Sequence, residues 1–217
     1  MIITMTGKPC AGKSVMIEFL AHKYGFDVFY SGALYREEAK RRGMTVLELN
    51  QLNDFKVDYL LDKKIMEEGF KRQGDEVVFD SRLAWAILQV PNLKTFLDVN
   101  EDEQARRLLG AGRSGDENSN ITLEQAKKDL QDRWNAENDR YDVLYGVNNK
   151  NPKNYDVVLD TSNLTIEEGG EKVYEKYCSF KDTGKEKRTQ ERIAKIIEDA
   201  LKSENSKVQT KNDELKF

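Results

Sequence analysis

The chain's 217 residues, 38% hydrophobic and 34% charged, suffice for one α/β domain with a sizeable core and a small insertion, but are cramped for two domains. Its 35 basic and 39 acidic side chains leave a formal charge of −4, so the whole molecule exerts no pull on nucleic acid or anionic lipid and must hold any polyanion at a local basic site. Two cysteines and the single His22 exclude a disulfide scaffold and argue against a zinc site or serine–histidine chemistry, and no apolar run nears the roughly 18 to 20 residues that a membrane-spanning helix requires.

Five short β-rich runs are spaced along the chain: Ile2 to Thr6, Phe26 to Tyr30, Glu76 to Phe79, Leu93 to Val99 and Tyr155 to Leu159. Segments with helical periodicity separate them, and this alternation predicts a parallel sheet covered by helices on both faces. Capping boxes mark three helix starts, Thr45 with Glu48, Thr122 with Gln125 and Thr165 with Glu168. Between the second and third strands lie helical stretches at about 32–42, 45–53 and 56–72, more than one crossover needs, so a small substrate subdomain is expected there. Gly110 to Asn120, polar and glycine-rich, reads as a flexible tip between two helices. Gly169-Gly170 is expected to weaken a helix, while Ile193, Ile196, Ile197, Ala200 and Leu201 give a later helix an apolar stripe and the last dozen residues read as disordered. Met1 to Gly7 has neither a basic leader nor a cleavage site, and the expectation is a cytoplasmic chain.

After the first strand, Gly7-Lys8-Pro9-Cys10-Ala11-Gly12-Lys13-Ser14 fits G-x-x-x-x-G-K-[ST] and leads through Val15 into a helix, the setting that gives this pattern its meaning as a phosphate-binding P-loop. The glycines let consecutive N–H groups turn inward and add to the positive end of the helix dipole. Lys13 would put a full charge on the β and γ phosphates, and the Ser14 hydroxyl can ligate Mg²⁺. Cys10 stands where glycine is common and reads as a small tolerated side chain. No Asn-Lys-x-Asp guanine signature and no Asp-x-x-Gly after the third strand are present, which argues against a switch GTPase.

Three further groups lie where an acceptor phosphate would bind. Ser31-Gly-Ala-Leu-Tyr35-Arg36 follows the second strand, with Ser31 placed to cap a helix. Val77 to Arg82 is a buried strand ending in Asp80 and Arg82, at the edge where open α/β sheets bind ligands. Arg133, Glu137 and Arg140 fall on one face of a helix, and Arg106, Arg107 and Arg113 flank or occupy the glycine-rich tip.

Together these segments resemble the cytidylate kinases of the nucleoside monophosphate kinase group. Residues 31–36 look like that family's acceptor motif, Asp80-Ser81-Arg82 is similar to its Asp-Gly-Arg, 133–140 resembles its lid, and Asp156 to Ser162 its last strand. Gly43 to Glu48 and Arg140 to Gly146 look most like the shorter archaeal branch. The resemblance spans residues 1 to about 175. It implies a P-loop NTPase fold, a three-layer α/β/α sandwich on a five-stranded parallel sheet, with a helical nucleotide-binding insertion at about 31–75 and a helical lid at about 101–145. A helical extension (176–203) and a disordered tail (204–217) would follow. It further implies that Ser31, Tyr35 and Arg36 seat the acceptor nucleotide, that Arg82 grips its phosphate and that Asp80 holds Mg²⁺ through water. Arg133 and Arg140, oriented by Glu137, would close over the transferring phosphoryl group. Leu83 stands where the bacterial motif has a base-reading aspartate, so phosphate binding is better supported than base identity.

The reaction implied is in-line transfer of the ATP γ-phosphoryl group to CMP or dCMP by a monomer, with no nucleic acid or membrane partner. Open alternatives are another acceptor (UMP, AMP or a non-nucleotide metabolite) or a P-loop protein that uses ATP as a regulatory switch.

Overall fold

The computed structural model describes residues 1–45, 48–49, 55–90, 92–110 and 122–182. All five expected strands form: β1 (Ile2–Gly7), β2 (Asp27–Tyr30), β3 (Val77–Asp80), β4 (Asn92–Asp98) and β5 (Val157–Asp160). They pair in parallel in the order β2-β3-β1-β4-β5. The helices are α1 (Lys13–Tyr24), α2 (Ser31–Arg41), α3 (Phe55–Lys71), the single turn α4 (Ala84–Ile87), α5 (Glu101–Gly110), α6 (Leu123–Tyr145) and α7 (Ile166–Asp182).

Central position explains why β1 is buried along its whole length. Its odd residues Ile3 and Met5 meet Met16, Ile17 and Leu20 of α1 and Val173 and Tyr177 of α7, whereas Ile2 faces the opposite layer with Val77, Phe79 and Ile65 of α3. The two buried threonines of β1 keep hydrogen-bond partners, Thr4 Oγ1 at 3.1 Å from Asn92 Oδ1 and Thr6 Oγ1 at 3.4 Å from the Arg82 carbonyl.

The capping boxes at Thr45/Glu48 and Thr165/Glu168 are reciprocal, each Glu carboxylate accepting from the Thr N–H and each Thr Oγ1 from the Glu N–H. At Thr122 only half forms, because the Gln125 amide turns to Asp129. The helix expected over 45–53 falls largely outside the described residues, although Leu49 packs against Ala39, Val57 and Leu61. The glycine-rich tip with Arg113, the apolar stripe at 193–201 and the tail from 204 lie outside the described residues.

Helix α7 runs through the boundary expected at 175, and Tyr177 is buried while donating to Glu76 at 2.7 Å. Nor do Gly169 and Gly170 break it. A Cβ on Gly170 would stand 2.2 Å from the Phe19 ring and one on Gly169 2.5 Å from the end of Met16, so this pair is where α7 lies directly on α1. Helix propensity favours Gly170→Ala by roughly 1 kcal/mol, but the ring contact costs about 1–3 kcal/mol. The expected net result in urea unfolding is a destabilised Gly170→Ala protein and a smaller loss for Gly169→Ala, whose neighbour is the flexible tip of a methionine.

Candidate active site

Parallel pairing brings the carboxyl ends of all five strands to one edge of the sheet. β1 ends there in the phosphate loop, β2 in Ser31, β3 in Asp80, β4 in Asp98 and β5 in Thr161 and Ser162.

The loop from Gly7 to Ser14 is held from outside by its carbonyls. Those of Gly7, Pro9, Cys10 and Ala11 accept, in turn, from Arg82, Gln104 Nε2 (2.8 Å), Arg107 (3.3 Å) and Thr161 Oγ1 (3.0 Å). The Lys8 carbonyl is taken within the loop by the Ala11 N–H at 3.3 Å. Holding these carbonyls from outside is the condition under which the loop's N–H groups can turn inward to cradle a polyphosphate, although those of Lys8 and Ala11 are already taken by the Leu97 and Lys8 carbonyls. Gly12 caps α1 in the left-handed region (φ 84°), and Cys10 also adopts left-handed φ (58°), an uncommon conformation for a side-chain-bearing residue. Its thiol packs beside Ala105, Ala126 and Leu130 at the root of α5 and α6. Gly7 answers a different demand, since a Cβ there would sit 2.4 Å from the Leu97 carbonyl on β4.

Among the acceptors at the edge, Lys13 Nζ is in contact with the Asp80 carboxylate. Burial, and secondarily the Arg82 guanidinium, lowers the Lys13 ammonium below the ordinary lysine range; Glu137 opposes this, and the Asp80 contact favours the charged form in the same way. Arg82 donates to the Gly7 carbonyl and places Nε 2.9 Å from Glu137 Oε1, an ion pair that is off the hydrogen-bond direction. Lys8 reaches Asp98 at 2.7 Å rather than the loop interior.

Several expected placements change. Ser31 does not cap α2; it is the first residue of the helix, and its hydroxyl donates to the Asp80 carbonyl at 2.8 Å, tying β2 to β3 where both strands end. Ser81 Oγ accepts from the N–H groups of Leu83 and Ala84, at the start of the single turn α4. Glu137 is turned to Arg82 and not to the arginines of its own helix. Arg140 contacts Asp58 of α3, and Arg133 is exposed without an ion pair among the described residues. Arg36 folds back over Gly32 beside a groove of about 480 Å³. Arg106 is exposed on Glu103, whereas Arg107 reaches past Glu103 to the P-loop and to both oxygens of Thr161. Ser14 and Val15 open α1 beside Lys13.

Two buried carboxylates were not legible as site residues. Asp58 and Asp62, one turn apart on α3, are 3% and 6% exposed. Tyr35 lies 3.4 Å from Asp58, and Tyr145 donates to Asp62. Their only signal in the sequence is position, each directly following a residue of the apolar stripe Val57, Leu61, Ile65.

Comparison with known proteins bears on this edge. Residues 6–124, from the phosphate loop to the start of α6, match the family model described as an AAA domain. The cytidylate kinase of Haloarcula marismortui is 31% identical over 75% of this chain and 81% of its own. That of Methanocella arvoryzae is 32% identical over 75% of this chain and 88% of its own. The chain belongs to the cytidylate kinase family. A shikimate kinase structure from Bacteroides thetaiotaomicron, 16% identical, superposes with a TM-score of 0.53 over 80% of this chain and 96% of that one, which shows a shared fold and nothing about the acceptor. Within the cytidylate kinase family frame, α2 and α3 form the insertion after β2, and α5 and α6 stand where the lid motif was expected.

Burial holds the Asp62 carboxyl up at about 6, against the Tyr145 hydrogen bond, which lowers it. A carboxyl raised in the folded state binds protons that the unfolded chain has released, so its charge costs stability above pH 6, and the cost fades as pH falls toward 4. Asp62→Asn keeps an acceptor for Tyr145 and removes the charge. Its unfolding free energy is expected to exceed the parent's at pH 8 by an amount on the order of 2 to 3 kcal/mol, and the gap to shrink to about half at pH 5 and close below about pH 4. A gap independent of pH would contradict this origin.

Proposed function

We propose that the chain transfers the γ-phosphoryl group of ATP to CMP or dCMP. The observation that carries this reading is the meeting, at one sheet edge, of an N–H-lined phosphate loop with Lys13 and Asp80 and of Arg82 from the adjacent strand end, in a chain of the cytidylate kinase family. One polyphosphate and one acceptor phosphate can then lie side by side. An oxygen of the acceptor phosphate attacks the γ phosphorus, the bond from that phosphorus to the β–γ bridging oxygen breaks, and ADP and the acceptor diphosphate leave. The attacking phosphate is already anionic near neutral pH, so no general base is required, in keeping with a chain whose one histidine, His22, sits late on α1.

Gly7 to Val15 bind the ATP phosphates, and Lys13 balances charge that develops on them during transfer. Arg82 holds the acceptor phosphate, released from Glu137 to do so, and Ser31, Tyr35 and Arg36 seat the acceptor. Ser14 and Asp80 are hard oxygen donors of the kind Mg²⁺ takes, and the bound ion would neutralise phosphate charge. Arg133, exposed on α6, is the cation able to swing toward the transferring group, with Arg106 and Arg107 of α5 on the same side.

Lys13→Ala and Arg133→Ala are each expected to lower kcat by at least about 100-fold with little change in melting temperature. A coupled assay of ADP formation with CMP, dCMP, UMP, AMP and shikimate tests the acceptor. Preference for AMP or shikimate would overturn the choice of CMP, and ATP hydrolysis indifferent to every acceptor would mark a regulatory ATPase.

A further inference from the structure

Thr161, the residue after β5, is 4% exposed and held by its own backbone, its N–H donating to the Asp98 carbonyl at 2.9 Å. Next to it, the Ser162 hydroxyl accepts from the Asn100 N–H at 2.9 Å, so the chain after β5 is pinned to the chain after β4 at two successive residues. From this fixed point the Thr161 hydroxyl oxygen lies 3.0 Å from the Ala11 carbonyl of the phosphate loop and 2.9 Å from that of Asp98. A hydroxyl has one proton to give. The Asp98 carbonyl already has the Thr161 N–H, whereas the Ala11 carbonyl has no other partner among the described residues, so the proton goes to Ala11. Arg107 donates to the hydroxyl oxygen at 3.2 Å and to the Thr161 carbonyl at 2.6 Å, which turns the O–H away from the guanidinium and strengthens it as a donor.

The Ala11 carbonyl and the Gly12 N–H belong to one planar trans peptide unit and point in opposite directions. Holding the carbonyl on Thr161 therefore points the Gly12 N–H to the inner side of the loop, one residue before Lys13, and no described residue takes that N–H. Nothing in Gly12 itself keeps the plane this way round. Its φ of 84° is left-handed, and turning the Ala11–Gly12 plane over carries φ to the negative side, which glycine accepts as readily. Glycine is here for that conformation and not for space, since a Cβ would find its neighbours at 3.7 Å on Val15 and 3.9 Å on Arg107. A plane turned over would withdraw the N–H and point a carbonyl oxygen at the phosphates. The hydrogen bond from Thr161 to Ala11 is what opposes this.

We infer that Thr161 is a positioning residue for the phosphate loop: its hydroxyl sets the Ala11–Gly12 peptide so that the Gly12 N–H is aimed at a nucleotide phosphate before one arrives. The inference rests on the phosphate-loop part of the kinase reading above and deepens it by naming a residue 150 positions from the loop residue it holds, on which nucleotide affinity depends. Thr161 itself touches no phosphate. Without its hydroxyl the Ala11 carbonyl has no donor, and the peptide turns over in the free protein to find one. A nucleotide must then turn it back and leave the carbonyl unpaired, so the loss falls on binding.

The test is calorimetric titration of ADP, with Mg²⁺ present, into the unmodified protein, Thr161→Val and Thr161→Ser, followed by a separate titration of CMP into each. Valine keeps the shape of threonine without the hydroxyl, and serine keeps the hydroxyl. Thr161→Val is expected to bind ADP about 5- to 20-fold more weakly, Thr161→Ser to stay within about 2-fold of the unmodified protein, and CMP affinity to change by less than about 2-fold in both. Unchanged ADP affinity in Thr161→Val overturns the inference. So does an equal loss in Thr161→Ser, or a parallel loss for ADP and CMP, as a purely structural role at the end of β5 would produce. If Thr161→Val does not fold, Thr161→Ala, smaller and also without a hydroxyl, is read by the same ratios. An unmodified protein that binds ADP but neither binds nor phosphorylates CMP counts against the kinase reading, while the ADP ratios still decide the role of Thr161.

Discussion

The structure depends on where the carbonyl oxygens of the phosphate loop go. A loop of eight residues can expose N–H groups on one side only if its C=O groups find partners on the other, since a buried backbone acceptor left unpaired costs on the order of 1–3 kcal/mol. Here four partners come from three separate places: Arg82 after β3, Gln104 and Arg107 on α5, and Thr161 after β5. These ties also fix the surroundings. Thr161 joins the loop to the end of β4 through the Asp98 carbonyl, and Arg107 joins it to Thr161, so α5 is anchored on the loop.

Around that loop, charge is arranged in short paired steps along the sheet edge. Lys13 meets Asp80, Lys8 meets Asp98, Arg82 meets Glu137 and Arg140 meets Asp58. A protein with net charge −4 can therefore serve a polyanion, because these four cations lie close to the phosphate loop or the helices beside it and each is held in place by a carboxylate. The phosphate groups of nucleotides would exchange with those carboxylates as partners. The same arrangement accounts for the absence of a required general base, since the work falls to positioning and charge balance.

How much of this was legible in the residue order differs by level. The five strands, the flanking helices and the phosphate loop were legible because each rests on a local regularity: β-rich runs, helical period and glycine spacing. Asp80 and Arg82 were legible too, since they end a strand and strand ends converge in parallel sheets. The partners were not. Glu137 sits four residues from Arg133 and three from Arg140, a spacing that suggests pairing along the helix, yet it turns to Arg82, 55 positions away by number. Ser31 has the right residue type for a cap but stands one position inside the helix, where its hydroxyl finds the Asp80 carbonyl more readily than its own backbone. Gly169-Gly170 read as a helix weakness when α1 was not yet in view.

By itself, then, the order of residues determined the strand count, the α/β class, the phosphate-loop chemistry and the family resemblance, since all four are properties of neighbours in the chain. Only the tertiary structure decided which carboxylate holds which cation, which side chains turn the loop's carbonyls outward, and that Asp58 and Asp62 are buried across from Arg140 and Tyr145. Those pairings join segments up to 150 residues apart, as between Ala11 and Thr161. Their choice depends on the packing of helices against the sheet and on the cost of leaving a charge unpaired there, neither of which has a local signature in the chain.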